Sequence, residues 1–133
     1  MDPTELLHSS MPLCATFGMR GIRFDGEAVE VELDWADSLC TAGGLLHGGA
    51  LMALADVAGG ACAFANLPAG AVGTATIESK TNFLRAARKG YVEAVGRPLH
   101  AGRTVIVIET DLFDEDGRRV TKTIQTLAVL AGS

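Results

Sequence analysis

The sequence predicts an α+β domain in which one long apolar helix is wrapped by a single antiparallel sheet. Three observations predict it. Between residues 38 and 77 the only formally charged side chain is Asp56, in a run so rich in Ala and Gly that a helix formed there must be enclosed. Ahead of that run, residues 20–34 alternate apolar and polar side chains with period two. Beyond Gly70, the chain is rich in β-branched residues punctuated by tight-turn pairs.

Taken in order, residues 2–16 begin as a short helix, with Asp2 as the cap and Pro3 in the first turn. In residues 20–34, Ile22 and Phe24 and then Val29, Val31 and Leu33 alternate with charged residues around Asp25-Gly26, the pattern of a hairpin with one buried and one acidic face. Residues 35–46 form a loop in which Gly43 and Gly44 permit unusual backbone angles. The helix then spans 48–64 and stops near Asn66 and Pro68. Strands follow at 72–84, 91–97, 103–113 and 120–130, separated by turns at Lys89-Gly90, Ala101-Gly102 and 114–117. On the last strand, Val120, Ile124 and Leu130 share a face with Thr126 and Ala128. A lone sheet leaves an edge strand to be managed, and pairing with a second subunit is the expected solution.

The 133 residues fit one domain, 1–133, and the apolar and charged fractions, 48% and 20%, are ordinary for a globular chain. A net charge of -5 supplies no basic face for nucleic acid. Cys14, Cys40 and Cys62 lie far apart with no CxxC pair, so neither a disulfide framework nor a zinc knuckle is expected, and a reducing, cytoplasmic setting is. The first residues show no secretory leader, and the apolar run 50–65 is too short for a membrane span and carries Asp56.

A carboxylate in such apolar surroundings must replace its lost hydration with partners, or react. Asp56 is therefore the candidate centre of the chemistry. Gly59 and Gly60 in mid-helix each cost about 1 kcal/mol relative to Ala. Close packing against the sheet explains them, and so does room for a ligand one turn beyond Asp56; Cys62 and Phe64 read as core.

The run LLHGG, an acid nine residues after its histidine, and the later TNFLRAARKG resemble the hotdog-fold acyl-CoA thioesterases, in particular the phenylacetic-acid-pathway and 4-hydroxybenzoyl-CoA thioesterase branch. The resemblance extends from about Gly18 to Leu130. It implies a hotdog fold paired into homodimers through a continuous sheet, often as a homotetramer made of two such dimers. It also implies hydrolysis of small aromatic or short-to-medium acyl-CoA thioesters, coenzyme A entering as part of the substrate and no metal or redox cofactor being needed.

Carried over residue by residue, the resemblance makes Asp56 the essential carboxylate and the Gly48 N–H the group that polarises the thioester carbonyl. Thr41 stands where an Asn or Gln is usual, six residues before His47. A hydroxyl near Thr76, two residues after Thr74, is expected to face the site. A helix N-terminus does offer unpaired N–H groups and partial positive charge, and Gly49 lies beside Gly48. Asp56 lies eight residues, about 12 Å, further along, so two antiparallel helices from two subunits would share each site.

Whether Asp56 attacks the carbonyl or activates water stays open. So does a structural role for it at the dimer interface. His47 orients the loop, touches the thioester or simply begins the helix. For the phosphates of coenzyme A the candidates are Arg85, Arg88 and Lys89, with Arg103 and Thr104 after the Ala101-Gly102 turn. The alternative reading is a hotdog domain that binds acyl-CoA without turning it over.

Overall fold

The computed structural model of the chain describes residues 1–132. It opens with two helices where one was expected, α1 (Pro3–Ser10) and α2 (Pro12–Phe17). The Asp2 carboxylate accepts the Glu5 N–H at 2.9 Å and caps α1. Pro12 has no N–H with which to continue the ladder, so α1 ends at Ser10 and Met11 lies extended between the two helices.

Strands β1 (Arg20–Phe24) and β2 (Val29–Asp34) form the expected hairpin. Its turn is held by Asp25, whose Oδ1 accepts the N–H groups of Glu27 and Ala28 at 2.8 and 3.0 Å. The Arg23 guanidinium and those two N–H groups hold the Asp25 carboxyl down at about 2. Along β2 the alternation holds, with Val29, Val31 and Leu33 buried. On β1 it fails: a bulge between Gly21 and Arg23 resets the period and leaves Ile22 48% exposed.

Strands β3 (Ala71–Phe83), β4 (Tyr91–Ala101), β5 (Val105–Asp114) and β6 (Arg119–Ala131) complete one antiparallel sheet in the order β1-β2-β4-β5-β6-β3. Strand β4 runs on past the expected end at Arg97 because a bulge at 98–100 carries it to Ala101. Strand β3, 13 residues long, is an edge, with Val72, Ile77 and Phe83 exposed along it.

Helix α3 (Gly48–Phe64) has the expected bounds and packs against one face of the sheet, touching β2, β3, β4, β5 and β6. Leu51, Leu54, Ala55, Ala58 and Cys62 bury one side of it against the sheet. The expectation of a fully enclosed helix is corrected. One sheet covers one side of a cylinder, and a stripe at spacings of three and four (Gly49, Met52, Asp56, Phe64) stays exposed, with Gly60 half-buried along it. No helix among the described residues is long and apolar enough to cross a membrane.

Candidate active site

The chemistry-bearing residues gather in two places along α3. The first is its N-terminus. Trp35 donates its indole N–H to the Gly44 carbonyl at 2.9 Å, and Gly43 and Gly44 take φ values of 81° and 74°, so the loop folds back and presents His47. His47 is the cap of α3: its Nδ1 accepts the Gly49 N–H at 2.8 Å, which places the ring proton of the neutral imidazole on Nε2. The His47 carbonyl accepts the Ala50 and Leu51 N–H groups at 2.9 and 3.1 Å.

Gly49 is thereby committed, and the Gly48 N–H is the one in this first turn without a partner among the described residues. The Phe83 ring lies over Gly48, where a Cβ would sit 3.2 Å from it. Thr41, Gly48, Phe83 and Arg85 line one open cavity of about 380 Å³.

The second place is mid-helix. Gln125 on β6 is fully buried, and its Nε2 donates to Asp56 Oδ1 at 2.7 Å and to Thr76 Oγ1 at 3.1 Å. Thr76 thus reaches Asp56 through Gln125. The amide oxygen Oε1 of Gln125 has no hydrogen-bond partner among the described residues and lies against Gly59, where any Cβ would overlap it. The Thr110 hydroxyl, also unpartnered, borders the same spot.

Gln125 escaped the sequence reading. The face of β6 turned toward the helix carries Thr121, Thr123, Gln125 and Leu127, all buried, while Ile124, Thr126, Ala128 and Leu130 share the opposite face. The signal that could have revealed it is an amide inside an otherwise β-branched run, since a buried amide requires partners.

Within one chain these two places stay apart. Phe83 sits on Gly48 and Thr76 shares Gln125 with Asp56, so β3 runs antiparallel beside α3 and keeps the open N–H and the carboxylate about 12 Å apart along the helix.

Arg85 joins the N-terminal cavity to a neighbouring one of about 260 Å³ lined by Arg88 and Lys89. Lys89 lies 3.9 Å from Glu115, and among the described residues Arg85 and Arg88 have no carboxylate at ion-pair distance. Arg103 and Thr104 belong elsewhere, in a cavity bordered by residues 68–71. They lie at the opposite ends of β4 and β5, about 30 Å away at the usual rise per residue.

A fourth cavity, about 440 Å³ and mainly apolar, lies between α1, the end of α3 and β3; Leu6, Met11, Gly60, Phe64 and Thr74 line it. Phe64, expected in the core, is 58% exposed at its mouth. The two mid-helix glycines divide the two explanations between them: Gly59 is packed against the sheet, whereas Gly60 faces open space. Burial pushes the Cys62 thiol up to about 11, so it is protonated at neutral pH and is no thiolate nucleophile.

The sequence pattern of the Thioesterase superfamily matches residues 43–121. Thioesterase PA1618 of Pseudomonas aeruginosa is 32% identical over 120 residues, 86% of this chain and 83% of its own. A crystal structure of a mutant of that protein superposes with a TM-score of 0.89 at 29% identity, covering 98% of this chain and 96% of the other. The 1,4-dihydroxy-2-naphthoyl-CoA hydrolase of Escherichia coli is 37% identical over 87 residues, 65% of this chain and 63% of its own. A thioesterase family protein from Silicibacter pomeroyi has a TM-score of 0.88 at 27% identity, over 98% and 97% of the two chains. The pattern spans over half of the chain and the fold is shared along nearly all of it, so the chain belongs to the Thioesterase superfamily and has the hotdog fold.

Proposed function

We propose that the protein is an acyl-CoA thioesterase of the phenylacetic-acid-pathway and 4-hydroxybenzoyl-CoA thioesterase type, releasing free acid and coenzyme A at sites shared between two copies of the chain. One observation carries this reading: an N–H at Gly48 without a partner among the described residues and a carboxylate at Asp56 stand two turns apart on the open side of one helix, too far apart to meet on one carbonyl. Met52 is midway between them and 38% exposed. Two α3 helices packed antiparallel about Met52 bring Gly48 of one copy opposite Asp56 of the other, twice per dimer. The unpaired edge of β3 is available to extend the sheet across the same axis.

In such a site the Gly48 N–H, at the positive end of the helix dipole, stabilises the oxygen of the attacked carbonyl. Asp56 supplies the other half. As nucleophile it forms a mixed anhydride and expels the coenzyme A thiolate, and water then cleaves the anhydride; as base it takes a proton from the attacking water.

Arg85, Arg88 and Lys89 receive the phosphates, and the two-fold carries the second copy's Arg103 and Thr104 toward that end. The apolar cavity past Gly60 receives the acyl group and suits a small aromatic ring or a short-to-medium chain. No metal or redox cofactor enters this scheme.

The test is release of free thiol from a panel of acyl-CoAs by the wild type and by a folded Asp56→Ala variant. Turnover that collapses in the variant supports the reading. Binding of acyl-CoA with turnover by neither protein replaces it with a non-catalytic binding domain.

A further inference from the structure

We infer that Gln125 is a positioning residue for Asp56, and that Gly59 exists to admit it; the inference rests on the thioesterase reading above. Asp56 projects from the exposed side of α3, where its side chain would be free to sample several rotamers. Gln125 removes that freedom from below. Its amide nitrogen has two hydrogens, and both are used: one fixes Asp56 Oδ1, the other is held by Thr76. Binding Oδ1 alone leaves Oδ2 as the oxygen turned to the substrate.

The orientation of the amide is itself determined. Asp56 only accepts, so the nitrogen must face it, and the oxygen must point the other way, into the helix. A side chain at position 59 would occupy that place, and at Gly59 there is none. An unpartnered buried oxygen is costly, and here it is tolerated beside the equally unpartnered Thr110 hydroxyl. Packing alone would be served by an apolar side chain of the same length, without that cost. What the amide adds is a donor under the reacting carboxylate.

The experiment compares wild type, Gln125→Met, Gln125→Ala, Gly59→Ala and the double variant Gln125→Ala/Gly59→Ala. Side-chain amide resonances of Gln125, assigned by their loss in Gln125→Met, read the contact without any turnover; they shift in Asp56→Asn if the hydrogen bond exists.

Gln125→Met keeps the melting profile and is expected to lower kcat about 10- to 100-fold with KM within twofold, the signature of a misaimed carboxylate rather than of lost binding. Gly59→Ala is expected to lower both kcat and stability in the Gln125 background, but to cost no stability once Gln125 is Ala. A folded Gln125→Met with wild-type kcat overturns the positioning role while the thioesterase reading stands. Absence of wild-type turnover on every thioester overturns both, whatever the amide resonances show. If Gly59→Ala destabilises equally in both backgrounds, Gly59 is not there for Gln125.

Discussion

Gly48 is the position where the proposed chemistry can be removed with the least damage to the fold. Proline is favoured at the first position of a helix, where the N–H has no intrahelical acceptor. The residue before a proline must be extended, and His47 already is, with φ -61° and ψ 137°. The Cβ would meet the Phe83 ring at 3.2 Å, which asks the ring to give by a few tenths of an ångström. Gly48→Pro therefore deletes one N–H and leaves the melting temperature nearly unchanged.

Loss of a single oxyanion donor is worth about 3 kcal/mol, or 100- to 1,000-fold in kcat. Thiol release on the best acyl-CoA measures it. Complementation extends the test: a heterodimer of Gly48→Pro and Asp56→Ala subunits, purified through two different tags, rebuilds one intact site and destroys the other. It should recover about half of wild-type activity although each parent is nearly inactive. A folded Gly48→Pro with full kcat refutes the oxyanion role, and a heterodimer no better than its parents refutes the shared site.

Two further outcomes follow from other parts of the molecule. Gly60→Leu projects into the apolar cavity, so kcat/KM for bulky acyl groups should fall about tenfold while acetyl-CoA is spared, read on the same panel. The helix itself gains about 1 kcal/mol from losing a glycine, so a lower melting temperature would instead indicate packing. Glu93 stands opposite Glu32 in the β2–β4 ladder, and burial and then the neighbouring Glu30 raise its carboxyl above the usual range. Because the folded state holds that proton more tightly than the unfolded chain, stability falls as pH rises through the raised value. Glu93→Gln should be more stable than wild type above that window by up to about 1 kcal/mol, the gap closing in acid, as urea melts at several pH values would show.

The elements that were legible in the sequence are those whose signal is local. The bounds of α3 could be read from Gly48 to Phe64 because loop glycines precede it and Asn66 and Pro68 follow it. The first hairpin was readable at Asp25, although what holds its turn is the carboxylate of that residue. What failed depended on partners far away in sequence. Ile22 changes side because of a bulge that no period reveals, and Phe64 is exposed because it lies on the side of α3 that the sheet leaves open. Asp56 and Gly48 could be named from the motif, but Gln125 lies 69 residues from Asp56 on a strand whose inner face is partly polar. Reading apolar as inward could not find it. The sequence sets Gly49 beside Gly48 at the helix start, and only the geometry of the His47 ring shows the Gly49 N–H taken.

The interlock of Gly59 with Gln125 also gives sequence change at these two positions a direction. Position 59 accepts a side chain only after position 125 has surrendered its amide, because the reverse order drives a methyl group into the Gln125 oxygen. Of the two routes by which the pair could be exchanged, one passes through an unstrained intermediate and the other does not. Related chains carrying a larger residue at the first position should therefore carry something other than glutamine at the second.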